Sequence, residues 1–556
     1  MDTPLGILAQ DAGGKSGPRR DRRWGSPLAV LGIYQLMACC LLVVGTGLMP
    51  NAVALADEAP QSSAAANDSA RLERLEKMLE SVVDENRRLS AEVRELKQDR
   101  VPRTVVPATS DAELIPVQSS VPDSDPAPQD SSAATSDSPF DYTTPEPAAD
   151  APAPPGWTFL REFRAGYDNG FIIASEDLDE RPFSLKINSQ NMFRYDGFKR
   201  SRDFWVDSAG NLVPIANANN FQIPRGRLIF SGKALLPEMS YLLNIDYNTV
   251  NSNPIGVRAY ELGYRLNRSF EIHVGQTKVP GTREWIESAF AALEGPDRSM
   301  ATTFFRPSLS QGVWANGQPI DGLYYIAMLA NGFNTLNLRP NQLNNRFCGS
   351  ASVWWEPWGS FGKGYADYED HAEPVIRLGT SLTFALGQGS QSASDAVENS
   401  PIRLSDGTLI TMVGALAPGV TLQTYDIGLA AIDLSWKHQG WSLSTEGYFQ
   451  DLSSLAGNGP LPISSTQAYG GFLQGGVFIL PKTVELYART SHVTGRYGSG
   501  AEVGGGVNWF IIPGKSNLRY TFDTTWLDNS PADQNRTGYS AGQTGVLFRT
   551  QIVAVY

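Results

Sequence analysis

The stretch SNLRYTFDTTWLD (516–528) carries two chemistries on one extended chain. Leu518, Tyr520, Phe522 and Trp526 fall on one side, and Arg519, Thr521 and Asp523 on the other, because successive strand side chains point to opposite faces. SYLLNIDYNT (240–249) repeats the pattern, with Tyr241, Leu243, Ile245 and Tyr247 against Asn244 and Asp246. In SFEIHVGQTK (269–278), Phe270, Ile272 and Val274 oppose Glu271 and His273. Segments of this kind, separated by Gly, Pro, Asn and Asp clusters, run from Trp157 onward, and no helix-length run with a 3.6-residue period interrupts them.

A soluble sandwich alternates too, and composition leaves a large secreted all-β protein open. Three features favour a barrel that crosses a membrane. The segments are longer than the strands of soluble proteins. Aromatic residues collect at segment ends, as in SVWWEPW (352–358) and NWF (508–510), where interfacial girdles lie. The polar face holds many charges, among them Lys186, Glu261, Arg265, Glu485 and Arg489, which a wet lumen tolerates. The expected fold is an all-β transmembrane barrel of about sixteen antiparallel strands, starting near Ser184 and wide enough to enclose an aqueous channel. Its last segment, GVLFRTQIVAVY (545–556), sets Val546, Phe548, Ile552 and Tyr556 against Arg549 and Gln551. A terminal aromatic on the lipid side is the kind of ending that outer-membrane assembly machinery reads.

Composition agrees with such a barrel. The 556 residues are 41% hydrophobic and 19% charged, with 53 Gly, 24 Phe, 20 Tyr and 12 Trp, polar for a helical membrane protein yet rich in aromatics. Cys39 and Cys40 lie in an N-terminal apolar run, so its removal leaves Cys348 alone and no disulfide framework. With four histidines no metal centre is expected, and no cofactor. Most of the net charge of −13 belongs to the N-terminal region; the remainder is near neutral, which disfavours nucleic-acid binding.

The first 156 residues divide into three parts. Arg19, Arg20, Arg22 and Arg23 precede the apolar stretch Leu28–Leu48, and Ala54-Leu55-Ala56 follows. Residues 1–56 therefore read as a secretory signal, cut after Ala56. The stretch is also long enough for an uncleaved anchor, and Leu36-Met37-Ala38-Cys39 faintly resembles a lipoprotein site. Residues 69–98 form a heptad array with Leu72, Leu79, Asn86 and Val93 at a and Leu75, Val82, Leu89 and Leu96 at d. An isolated helix of this length is marginal, so a self-associating coiled-coil stalk of roughly 40 Å is expected, with packing on the chain's own barrel as the alternative. Asn86 is a register-setting polar residue. Residues 99–156, rich in Pro, Ala, Ser and Asp, have too little apolar content to fold and read as a disordered linker to the barrel domain, 157–556.

FQIPRGRLIFSGKAL (221–235), AYELGY (259–264), SFEIHVGQTKVPGTREWIESA (269–289) and FFRPSLSQGVWA (304–315) resemble the early strands of the phosphate-selective porin O and P family. TVELYARTSHVTG (483–495), AEVGGGVNWFIIPGKSNLRYTFD (501–523) and FRTQIVAVY (548–556) resemble its closing strands. The resemblance covers roughly 157–556 and is most specific at 258–315. It implies a homotrimeric outer-membrane pore in which an inward-folded loop narrows the lumen and cations guide small anions such as phosphate. On that pattern Lys278 ends the strand entering the constriction loop, and Arg283, Arg298 and Arg306 lie in or beside the loop, interleaved with Glu284, Glu287, Glu294 and Asp297.

Alternation places Lys186, Arg194, Arg225, Arg227, Arg265, Arg377, Arg489, Arg519 and Arg549 toward the lumen, with Asp246, Glu261, Glu271, Asp433, Glu446, Glu485 and Asp523. Arginine outnumbers lysine about threefold in this domain, and its planar fork suits oxyanions. The cations could form a ladder for passing anions, or pair with the carboxylates and stiffen the wall. No GxxxxGK[ST], HExxH or CxxC motif occurs, so no catalytic residues and no enzyme are expected. The expectation is an outer-membrane porin for small hydrophilic solutes, mildly anion-preferring, inserted in outer-membrane lipid with its stalk in the periplasm. Beside it stands a structural role, in which the stalk tethers the outer membrane to the cell wall.

Overall fold

The computed structural model describes residues 163–176, 182–251, 255–336, 338, 340–389 and 401–556. The chain divides into two units, Met1–Ser132 and Ala133–Tyr556; every described residue belongs to the second. The secretory signal, the coiled-coil stalk and the linker lie outside the described residues.

Strand follows strand in simple order. A short hairpin, β1 (Phe163–Tyr167) and β2 (Phe171–Ser175), precedes β3 (Ser184–Arg200). A second small hairpin, β4 (Phe204–Val206) and β5 (Leu212–Pro214), leads to β6 (Ala218–Ala234), β7 (Leu236–Tyr247), β8 (Ile255–Asn267) and β9 (Phe270–Lys278). A long loop carries two helical turns, α1 (Arg283–Ile286) and α2 (Met300–Phe305). Then come β10 (Leu309–Ile320), β11 (Leu323–Ala330), β12 (Cys348–Trp355), β13 (Val375–Gly389), β14 (Leu422–His438) and β15 (Trp441–Gly457). The chain closes with β16 (Thr466–Leu480), β17 (Val484–Gly495), β18 (Gly498–Phe510), β19 (Leu518–Asp528) and β20 (Gly545–Val555).

Leaving out the two hairpins, sixteen strands pair antiparallel with their sequence neighbours, and β20 pairs with β3 from Gly545↔Arg200 to Val555↔Gln190. The sheet is a closed barrel, so no edge is left among these strands. The count and the start at Ser184 match the alternation; the β1–β2 hairpin does not appear in it. That hairpin pairs Phe171–Ala174 with Ser184–Ile187 of β3, covering the part of β3 that extends past the end of β20.

The burial of the strands is inverted relative to a soluble protein. In β19, Arg519, Thr521, Asp523 and Thr525 are buried while Phe522 and Trp526 are exposed. Ile432, Leu434, Leu443, Leu473, Val503, Phe548 and Ile552 are likewise exposed on the outer face. Leaving that many large apolar side chains in water forfeits about 1.5–3 kcal/mol each; against hydrocarbon the same belt is favourable. The girdle expected from SVWWEPW and NWF is half right. Trp355, Trp358 and Trp509 are exposed, whereas Trp354 and Phe510 are buried inside, because adjacent strand residues cannot share a face.

The connections sort into two ends. At one, turns are short, as at 268–269, 321–322 and 439–440. In the turn at 321–322, Gly322 has φ 77° and a Cβ there would lie 2.5 Å from the Glu356 carbonyl oxygen, so only glycine fits without strain. At the other end the loops are mostly long, 496–497 being the short one. Segments 279–308 and 529–544 fold from the long-loop end into the lumen, and 356–374 folds in from the short-turn end. The core therefore sits inside the barrel, where Met300, Phe304 and Phe305 of α2 pack with Tyr448, Phe472 and Val493 of the wall.

Candidate functional site: the barrel lumen

The loop 279–308 is held in place from the wall. Ser299 caps α2 by accepting the Thr302 N–H, satisfying a donor that the helix leaves open. The Glu446 carboxylate on β15 accepts the N–H groups of Arg283 (2.6 Å) and Glu284 (3.0 Å) at the start of α1. Asp297 is gripped by Arg225, whose second nitrogen lies 3.2 Å from the other carboxylate oxygen, and by Arg194 at 3.2 Å. Burial alone raises the Asp297 pKa, but Arg225, Arg194 and Arg298 overcome it and hold the carboxyl at about 2. Carbonyls of the loop accept from the wall as well: Leu293 from Arg519 (2.6 Å), Asp297 from Arg489 (2.8 Å) and Pro296 from Gln551 (3.2 Å).

Most of the inward-facing cations are buried and bonded. Arg227 lies 3.5 Å from Asp246 and 4.7 Å from the centre of the Phe290 ring. Arg489 pairs with Glu502 at 2.9 Å, and Arg549 with Asp523 at 2.6 Å. Arg283 pairs with Asp433 at 3.3 Å and Glu287 at 3.6 Å while its guanidinium stacks on Tyr365 and Phe361. Lys278 donates to the Ile286 and Glu287 carbonyls at 2.7 and 2.9 Å. Lys278, Arg298 and Arg306 surround the Trp285 ring at 5.1, 4.9 and 4.1 Å, a buried cation–aromatic arrangement.

Of the residues singled out from sequence, Arg225, Arg227, Lys278, Arg283, Arg306, Arg489, Arg519 and Arg549 are buried within the barrel. Lys186 and Arg265 are not part of that group. Lys186 lies at the start of β3, 3.8 Å from Asp168, and Arg265 is half exposed near the end of β8, 3.1 Å from Glu271. Burial and pairing mark a difference from the hydrated ladder that alternation alone allows, since the inner loops fill the space that water would take.

Three features go beyond the expectation drawn from the sequence. Arg536, on 529–544, is fully buried and grips both oxygens of Asp246, at 2.7 and 3.0 Å. Lys437 reaches the inner segment 356–374. The inner wall of β9–β12 is aromatic, with His273 stacked on Trp314 at 5.3 Å and Tyr324 on Trp354 at 5.4 Å. Strand order was the available signal for 356–374: counting from β3, this connection falls at the end where its neighbours are two residues long.

Among the described residues, one group could offer three metal-ligating atoms, Asp367, Glu369 and His371. Asp367 is already occupied by the Gly440 N–H (2.9 Å) and by His371, and Lys437 lies 4.0 Å from Glu369. The group reads as an ion-paired latch. Burial opposes the charge on Asp367, yet the bonds from His371 and Gly440 keep its pKa below the usual carboxylate value.

No family description matches the chain. No curated protein matches it. Among solved structures, OmpF of Salmonella typhi covers 71% of this chain and 100% of its own at 10% identity and a TM-score of 0.42. The anion-selective porin of Comamonas acidovorans covers 67% and 99% at 10% identity and 0.41. The trimer form of OmpT of Vibrio cholerae covers 67% and 99% at 12% identity and 0.40. Likeness of this degree says nothing of solute, and the architecture of this chain rests on its own strand register.

Proposed function

We propose that the chain is an outer-membrane porin that lets small hydrophilic solutes, anions first among them, diffuse passively. One observation carries the reading: a closed sixteen-stranded barrel with an apolar outer belt and an arginine-rich inner wall narrowed by the loop 279–308. A pore needs a polar inner face, and arginine is the cation best suited to oxyanions. In this reading Lys278, Arg283 and Arg306 stand where a passing anion meets the loop. The resemblance to phosphate-selective porins makes phosphate the first solute to test and a homotrimer the expected assembly. The stalk at 69–98 then lies in the periplasm, as the long loops of such barrels face outward and the short turns inward.

Burial of the lumen charges supports a second reading. A barrel packed this tightly also suits a stable anchor, with the stalk tethering the membrane to the cell wall. Single-channel recording of the full chain in planar bilayers separates the two. Stable steps, a reversal potential favouring anions in a chloride gradient and block by added phosphate support the pore. Cation preference overturns the anion reading. Absence of steps from a folded, inserted barrel overturns the pore and leaves the tether.

A further inference from the structure

Segment 356–374 joins β12 to β13 at the end where the neighbouring turns, 321–322 and 439–440, are two residues long. It does not follow the rim. Trp358–Ser360 are exposed, but Phe361, Tyr365, Ala366, Asp367 and Tyr368 are buried in the barrel. Its tip meets the constriction loop directly: the Tyr365 N–H donates to the Ala292 carbonyl at 2.9 Å. Gly364, at φ 66°, lies so close that a Cβ there would approach Ala292 Cα to 2.7 Å. Phe361 and Tyr365 cover the Arg283 guanidinium at 5.2 and 4.6 Å, at the point where a solute in transit would meet that charge.

The two inner segments are anchored differently. The loop 279–308 is fixed through the fully buried pairing of Asp297 with Arg194 and Arg225. Segment 356–374 is held by the Lys437 ammonium, which donates to the Phe361 and Lys363 carbonyls at 3.1 Å each, and by Asp367 accepting from Gly440. Positive φ recurs along it, at Gly359, Gly362, Gly364 and Asp370, and Pro357 and Pro374 bound it. Its polar anchors to the wall gather on the β14–β15 hairpin, where the Gln439 N–H also donates to the His371 carbonyl at 2.8 Å, and a glycine-rich segment tied along one hairpin can swing as a unit.

We propose that 356–374 is a gate. Seated, its Phe361–Tyr368 tip closes the lumen beneath the constriction loop from the short-turn end; withdrawn, it uncovers Arg283 and opens the path. The proposal rests on the porin reading and names how that pore is regulated.

The test uses the full chain in planar bilayers, with two alterations. The first replaces 360–369 by a short Gly-Ser turn. The second is Lys437→Met, which removes the anchoring ammonium and keeps most of the side-chain volume. Hydrogen bonds from a charged donor weigh on the order of a tenfold factor in an equilibrium, so Lys437→Met is expected to raise the open-to-closed ratio about tenfold. The shortened protein is expected to remain open. A lock completes the test: Tyr365→Cys with Ala292→Cys, in a chain whose native cysteines are serine, is expected to stay shut when oxidised and to conduct again when reduced. If parent, shortened and Lys437→Met proteins show the same steps and open times, the gate is overturned and the porin reading stands. If none conducts, although each shows β-rich circular dichroism and membrane insertion, both are overturned.

Discussion

Asp297→Asn removes one charge and almost no volume from the best-anchored point of the constriction loop. The Asp297 carboxyl sits between Arg225 and Arg194, fully buried. Its pKa is about 2 against an ordinary 3.8, a shift on the order of 2 kcal/mol in favour of the charged form. The substitution also strands two guanidinium groups, and breaking a buried ion pair by removing one partner typically costs about 3–5 kcal/mol. The expected loss is therefore about 2–5 kcal/mol, the lower figure applying if the loop relaxes enough to let water reach Arg194 and Arg225. The assay is guanidinium unfolding of the barrel in lipid vesicles, followed by tryptophan fluorescence. Because the folded-state pKa lies below the unfolded value, the contribution is complete above about pH 4 and lost as pH falls through about 2. Parent and variant stabilities should therefore converge in strong acid. A variant within about 0.5 kcal/mol of the parent at neutral pH, the scatter of an ordinary surface substitution, refutes the idea that charge holds the loop.

The other expectations are simpler. Arg549→Met leaves the buried Asp523 without its ion-pair partner and should lower stability by about 3–5 kcal/mol, while adding Asp523→Leu should restore most of it; equal damage in single and double variants contradicts the pairing. Phe522→Arg on the outer face should cost about 2–4 kcal/mol in vesicles, and an unchanged unfolding midpoint would mean that face does not meet lipid. A peptide spanning 69–98 should sediment as a helical oligomer, with Asn86→Leu raising its stability and loosening its choice of partner number; a monomer at all concentrations overturns the heptad reading.

Side-chain alternation was enough to name the barrel and its first barrel strand, since a strand's period of two is a local property. Arg519 and Asp523 could be placed opposite Phe522 without any knowledge of neighbouring strands. The same rule, applied more strictly, would have turned Trp354 and Phe510 inward from the girdle, as each sits next to an outward tryptophan. What alternation leaves open is what fills the middle. The grip of Arg225 on Asp297 spans 72 positions, and that of Arg536 on Asp246 spans 290. Neither loop carries a periodic signal, because irregular backbone has no period to read. Whether an inward arginine is bathed in water or clamped by a carboxylate depends on which loops fold back, and that is decided by closure of the barrel, which brings β3 against β20 and sets a fixed inner volume. The seating of 356–374 under Arg283 is of the same kind. Its composition says turn, and only the packing of Phe361, Tyr365 and Ala292 says that the turn goes inside.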